Sequence, residues 1–96
     1  MDKKKKADEF YKRLEAELEK DTRWPSVYLF KFIIPASLEK TAKIEEIFDG
    51  TKAEIETRDS AKGNYTSVSI RVIMESPASV IEKYKEVSTV EGVISL

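Results

Sequence analysis

The chain has 96 residues, with 17 basic and 18 acidic side chains, 41% hydrophobic residues, and neither cysteine nor histidine. This length predicts one domain, and a net charge of −1 gives no general reason to expect nucleic acid as a partner. Because the usual thiolate nucleophile, general base and metal ligands are missing, we expect neither an enzyme nor a bound metal or cofactor.

The N-terminus carries a basic run, Lys3–Lys6, which is followed by Ala7-Asp8-Glu9. A secretory signal would follow its basic start with an apolar segment. The longest apolar stretch, residues 32–36, is far too short to span a bilayer. We therefore expect a cytoplasmic protein with no membrane contact, in which the lysine run is a solvated, frayed tail.

The first predicted element is an amphipathic helix over residues 7–20. Phe10, Leu14 and Leu18 recur at a spacing of four, as they do on one face of a helix. A short polar break then precedes Trp24-Pro25, which we interpret as an anchor at the end of the sheet. We assign residues 1–22 to a basic tail with this helix, and residues 23–96 to the main domain.

The middle of the chain predicts strand, helix and strand. The segment VYLFKFIIP is rich in β-branched and aromatic residues and apolar on both faces, which indicates a central strand. Ser37 is a good helix N-cap, and Gly50 suits a left-handed cap at the helix end. The segment TKAEIETRD then alternates between core-facing and charged residues, which is typical of an edge strand.

The last third of the chain repeats this order. Alternation from Tyr65 to Met74 predicts a long strand, Ser76-Pro77 begins a helix, and the segment VISL forms a short last strand. The whole chain is therefore predicted as α+β, a ferredoxin-like β-α-β-β-α-β sandwich with two helices on one face of a four-stranded antiparallel sheet and an extra N-terminal helix. Right-handed crossovers place the first and third strands in the centre.

The same alternation predicts the core and leaves an apolar outer sheet face. The outer residues are Val27, Leu29, Ile33 and Ile73, and we expect the N-terminal helix to cover part of this face, in its own chain or in a symmetric partner. The competing interpretation is a helix that projects away and packs only through its tip. The predicted core consists of Phe30, Phe32, Ile34, Leu38, Ile44, Ile47, Phe48, Ile55, Val68, Ile70, Val72, Val80, Ile81 and Tyr84.

The segment SAKGNYTSVSI contains the candidate site. Gly63-Asn64 suits backbone positions that need a positive φ, as hairpin turns do. As a recognition loop, it would offer Lys62 to an anion, Tyr65 for stacking, and Ser67 on the outer face. As an ordinary hairpin, it needs no ligand. Lys62, Gly63, Asn64, Tyr65 and Ser67 are therefore the candidate interaction loop, with no catalytic, cofactor-binding or metal-binding residue assigned.

The string Ser60-Ala61-Lys62-Gly63-Asn64-Tyr65, followed by Ser67-Val68-Ser69-Ile70, resembles the signature of the YbeD-like family of small bacterial proteins, the domain-of-unknown-function family four hundred ninety-three. The resemblance covers residues 24–96 and includes Trp24-Pro25 and the ending 90–96. It implies a ferredoxin-like fold similar to ACT-type regulatory domains and no catalytic residues. The N-terminal helix looks like an addition, and the loop Pro35-Ala36-Ser37 lacks the glycine that ACT-type amino-acid sites usually have.

These observations favour a small, non-enzymatic regulatory or adaptor module of unknown biochemical role that acts through protein contacts, with a homodimer as one form. The alternative is an ACT-like sensor that binds a small metabolite at the sheet edge or in a groove between subunits. A weaker third class is an enzyme that uses carboxylates such as Glu54 and Glu56, or a lysine. RNA binding is disfavoured, because Tyr65 is the only aromatic residue predicted on the outer face of the two central strands.

Overall fold

A computed structural model describes the backbone of residues 2–96 and the side chains of residues 6–96. The four strands form one sheet in the order β2-β3-β1-β4, with every pairing antiparallel. This α+β arrangement is compatible with a ferredoxin-like fold, and the two long strands lie in the centre as predicted. The elements in chain order are α1 (Asp2–Asp21), β1 (Ser26–Pro35), α2 (Leu38–Ile47), β2 (Glu54–Asp59), β3 (Tyr65–Met74), α3 (Pro77–Val87) and β4 (Ile94–Ser95).

Local hydrogen bonds explain where α2 and α3 begin. The Ser37 hydroxyl accepts from the Lys40 backbone N–H at 3.2 Å, which satisfies one of the free donors at the start of α2. At the start of α3, the Ser76 hydroxyl accepts from the Ser79 N–H at 3.2 Å, and the Ser79 hydroxyl accepts from the Ser76 N–H at 3.1 Å. Both predicted N-caps are confirmed.

The core lies between the inner sheet face and the helices. Ile47 and Ile55, which were predicted to be in the core, are only half-buried. The predicted core residues that the structure buries are Phe30, Phe32, Ile34, Ile44, Phe48, Val68, Ile70, Val72, Val80, Ile81 and Tyr84. Each large apolar side chain buried in this way contributes roughly 1.5–3 kcal/mol, so this layer accounts for most of the apolar stabilisation of the fold.

The prediction that Leu38 belongs to the core is wrong. Its side chain is 92% exposed, although Ile44 in the same helix is completely buried. At 3.6 residues per turn the two side chains point about 120° apart around the helix axis. Leu38 is also the first residue of α2.

The N-terminal helix packs on the helical layer of the molecule, not on the outer sheet face. It contacts α3, and Leu14 and Leu18 pack half-buried against the core. The Trp24 indole N–H donates to the Leu18 carbonyl at 3.1 Å, which ties α1 to the start of β1 and confirms the anchor. Within its own chain, α1 therefore neither covers the outer sheet face nor projects away from the molecule, so both interpretations are wrong there. The helix also begins at Asp2, earlier than the predicted start at Ala7, so its first turns include the lysine run.

One edge of β1 remains largely open. Although β1 has ten residues, its register with β4 contains only Phe32 and Ile33, and the Leu96 N–H donates to the Lys31 carbonyl at 2.9 Å. Backbone groups of alternate residues in a strand point to the same side. The N–H and C=O groups of Val27 and Leu29 therefore face the same side as those of Lys31, beyond the end of β4.

Candidate functional site

The candidate loop closes the hairpin between β2 and β3. Gly63 has a φ of +73°, and its N–H donates to the Ser60 carbonyl at 2.9 Å. The Ser60 N–H donates to the Tyr65 carbonyl at 2.8 Å, and the Ser60 hydroxyl accepts from the Tyr65 N–H at 3.1 Å. The hairpin prediction is confirmed, and the left-handed position is Gly63. Asn64 does not share it, because Lys52 is the non-glycine residue with positive φ among those described.

The structure divides the five candidate residues between two places. Lys62, Gly63 and Asn64 lie at the exposed loop, whose Asn64 carbonyl accepts from the Ala36 N–H at 2.9 Å. Tyr65 and Ser67 lie on β3 and point to the outer sheet face. The loop is therefore built by its own backbone bonds, while Tyr65 and Ser67 belong to a larger surface.

That larger surface, here called the outer sheet face, is the side of the sheet opposite the helices. An apolar group on it is formed by Val27, Leu29 and Ile73, which are 52%, 60% and 67% exposed, and Val27 lies directly opposite Ile73 in the register. Apolar side chains grouped and exposed in this way are typical of a contact surface. The register places on this face Val27, Leu29, Lys31, Ile33, Glu54, Glu56, Arg58, Tyr65, Ser67, Ser69, Arg71, Ile73, Ile94 and Leu96.

Two residues of this surface were missed by sequence reasoning. Ile94 lies opposite Ile33, and Leu96 lies beside Lys31, so both continue the apolar surface onto β4, where they are 52% and 63% exposed. Alternation within a two-residue strand is too short to assign a face, and only the register with β1 reveals it.

Charged side chains surround the apolar group on the β2 side. Glu54 lies opposite Arg71, and Glu56 lies opposite Ser69. The small side chains of Ser67 and Ser69 leave a hollow of about 260 Å³, which is also lined by Lys31, Glu56, Thr57 and Arg58. The surface therefore offers an apolar group beside a polar region of both charge signs.

The family model described as Protein of unknown function (DUF493) matches residues 19–96. The chain belongs to this family. Comparisons with curated proteins and with solved structures found no match. The DUF493 match contains the hairpin and the outer sheet face, whereas most of α1 lies before it.

A second hollow in this DUF493 chain lies beside the start of α2. It measures about 390 Å³ and is bounded by the segment 36–38, Thr41 and the end of the β2–β3 ladder. The Thr66 hydroxyl, which is buried there, donates to the Asp59 carboxylate at 3.0 Å. This is the position at which a small molecule at the sheet edge could contact backbone and hydroxyl groups.

The buried tyrosine of α3 is a core residue, as predicted. The hydroxyl groups of Tyr28 and Tyr84 lie 2.9 Å apart. Burial, and then the hydrogen bond to Tyr28, raise the pKa of Tyr84 well above its ordinary value. Its phenol therefore stays protonated and uncharged near neutral pH.

Among the residues that the structure describes, no group of three or more histidine, cysteine, aspartate or glutamate side chains could hold a metal ion. None of the helices formed by residues 2–96 is both long and apolar enough to cross a membrane.

Proposed function

We propose that this DUF493 protein is a small, non-enzymatic regulatory or adaptor module that acts through protein contacts on its outer sheet face. The observation that carries the proposal is the exposed apolar group formed by Val27, Leu29 and Ile73. Burying three such side chains against a partner would contribute several kcal/mol, at about 25 cal/mol for each Å² of apolar surface. The strand order supports a ferredoxin-like, ACT-like module, and we propose that this module works in the cytoplasm.

The packing of α1 supports the same proposal. Because Leu14 and Leu18 are occupied against the α3 side of the molecule, α1 is not free to cover the outer sheet face. The apolar group there stays available to a partner. The absence of histidine and cysteine from the sequence further favours binding over catalysis.

Site-specific photo-crosslinking in cells of the natural host tests this proposal. A photoreactive phenylalanine at Ile73 should give discrete cross-linked protein products, because this side chain lies in the apolar group. The matched control places the same residue at Glu82, an exposed position on α3. Identical products at both positions, or none at Ile73, would contradict the proposal.

A second candidate is a sensor that binds a small metabolite in the hollow beside α2. It is favoured by the size of that hollow, about 390 Å³, and by the polar groups of Ser37, Thr41 and Asp59 that line it. In a thermal-shift screen against amino acids, nucleotides and cofactors, a true ligand should raise the Tm of the protein. The shift should be lost in Thr41→Val, and no shift with any compound would dismiss this candidate.

A further inference from the structure

The strand register places the side chains of the outer sheet face in rows that run across the strands. Each row contains one outward residue from each strand that reaches it. From one end of the sheet to the other, the rows are Ile73 with Val27; Glu54, Arg71 and Leu29; Glu56, Ser69, Lys31 and Leu96; Arg58, Ser67, Ile33 and Ile94; and Tyr65 with Pro35.

We propose that the partner on the outer sheet face is a second copy of this chain, packed face to face about a two-fold axis that runs along the row of Ser69. This inference rests on the proposed function, because it names the partner of the same surface. A two-fold axis in that position exchanges the two halves of the face. It requires the rows on either side of Ser69 to complement each other.

The charged positions meet this requirement. The row of Glu54 would lie over the row of Arg58 in the second copy, so that the carboxylate faces the guanidinium. Symmetry repeats this contact, which gives two ion pairs for each dimer. The rows contain Lys31, Arg58 and Arg71 against Glu54 and Glu56, so the charges nearly balance, and the face suits itself better than it suits a strongly charged partner.

The apolar positions on either side of the row of Ser69 also complement each other. Leu29 would lie over Ile33 of the second copy, which has Ile94 beside it, and Ile73 would lie over Tyr65. Like charges face each other only in the axis row, where Glu56 lies on the edge strand and can extend into water. Lys31 in the same row can point across Ser69 into the polar hollow, which it lines together with Glu56.

The size of the face is sufficient for a dimer. Its strands have ten, ten, six and two residues, and at about 4.8 Å spacing and 3.4 Å per residue they cover roughly 450 Å² in projection. Side-chain relief raises the accessible area toward the roughly 800 Å² that each partner buries in a standard interface. Sheets that pack face to face in this way cross at about 30°.

Light scattering after size exclusion, from micromolar to near-millimolar full-length chain, measures the association. We expect a monomer–dimer equilibrium, and Ile73→Asp should give a monomer that keeps the circular-dichroism spectrum of the folded wild type, because this side chain is exposed in the monomer. Glu54→Arg and Arg58→Glu should each raise the dimer Kd by about 5- to 30-fold, since each turns the two ion pairs of the dimer into contacts between like charges. The double variant, which exchanges the two charges, should recover dimerisation.

The control variant Glu82→Arg makes the same replacement of glutamate by arginine on the exposed side of α3, and it should leave the dimer Kd unchanged. A chain that stays monomeric at all concentrations overturns the self-association. In that case, specific cross-links from Ile73 to other proteins would still support the proposed function, and their absence would overturn that too. A dimer that is insensitive to both charge reversals and to Ile73→Asp uses another surface and also overturns this inference.

Discussion

The hydroxyl groups of Tyr28 on β1 and Tyr84 on α3 lie 2.9 Å apart and form a direct polar link between the sheet and a helix. Tyr84 is buried and its pKa is raised above the ordinary value, first by burial and then by this hydrogen bond. A phenol with a raised pKa in the folded state stabilises the protein below its unfolded pKa, which is about 10. That contribution is lost as the pH rises above this value.

Tyr84→Phe should therefore have two effects. Near neutral pH it should lower the free energy of unfolding by about 1 kcal/mol, because the partly buried Tyr28 hydroxyl loses its partner. Above about pH 10 the difference from the wild type should shrink, because the variant has no phenol to ionise at this position. Thermal melts across this pH range measure both effects. Tyr65→Phe, at an exposed site, should keep the wild-type slope, and parallel curves for Tyr84→Phe would contradict the prediction.

Because α1 packs on the helical layer, two apolar residues of this helix should differ in how much they stabilise the fold. Leu14 is half-buried against the core, whereas Phe10 is 58% exposed. Leu14→Ala should lower the free energy of unfolding by about 1–2 kcal/mol. Phe10→Ala should change it by less than about 0.5 kcal/mol, as surface substitutions usually do. Equal values from urea denaturation would show that α1 does not pack as described.

Two glycines with the same backbone conformation differ in their surroundings. Gly50 and Gly92 have φ values of +79° and +80°, but a Cβ at Gly92 would lie 2.8 Å from the Pro35 Cγ, whereas at Gly50 it would meet nothing within 4 Å. Both alanine variants should lose about 1–2 kcal/mol to the left-handed backbone. Gly92→Ala should lose about 1–3 kcal/mol more, because Pro35 must move. Equal Tm losses would rule out this close approach.

Lys83 joins α3 to the end of α2. Its ammonium group donates to the Ile47 carbonyl at 2.6 Å, lies 3.7 Å from the Glu86 carboxylate, and lies 5.4 Å from the centre of the Phe48 ring. Lys83→Met keeps the apolar stem but removes the donor, and should cost about 1 kcal/mol. Lys43→Met on the exposed side of α2 is the control, and calorimetry should show little change for it. A similar effect of both variants would contradict the link.

Elements governed by local chemistry could be predicted from the sequence. Ser37 and Ser76 begin their helices because their hydroxyls accept backbone N–H bonds three residues later, and this requires nothing distant. The alternation in β3 likewise predicted which residues face the core. The same reasoning failed at Leu38, because its side chain at the start of α2 points about 120° away from the buried side chain of Ile44.

Long-range relationships could not be predicted in the same way. The spacing of Leu14 and Leu18 identifies an apolar helix face but not the surface that it meets, and both α3 and the open sheet offered apolar partners. The candidate site has the same limit. Ile94 and Arg58 lie in one row only because of the register of four strands, and a two-residue strand carries too little pattern to show it.

Because β4 is short, it pairs with only part of β1, and the rest of that edge of β1 is open. Its backbone groups at Val27 and Leu29 face the open side, whereas Tyr28 and Phe30 pair with β3. Amide hydrogen exchange should therefore alternate within this single strand, fast at Val27 and Leu29 and slow at Tyr28 and Phe30. A strand whose composition is typical of the middle of a sheet thus exchanges, at every second residue, as an edge does.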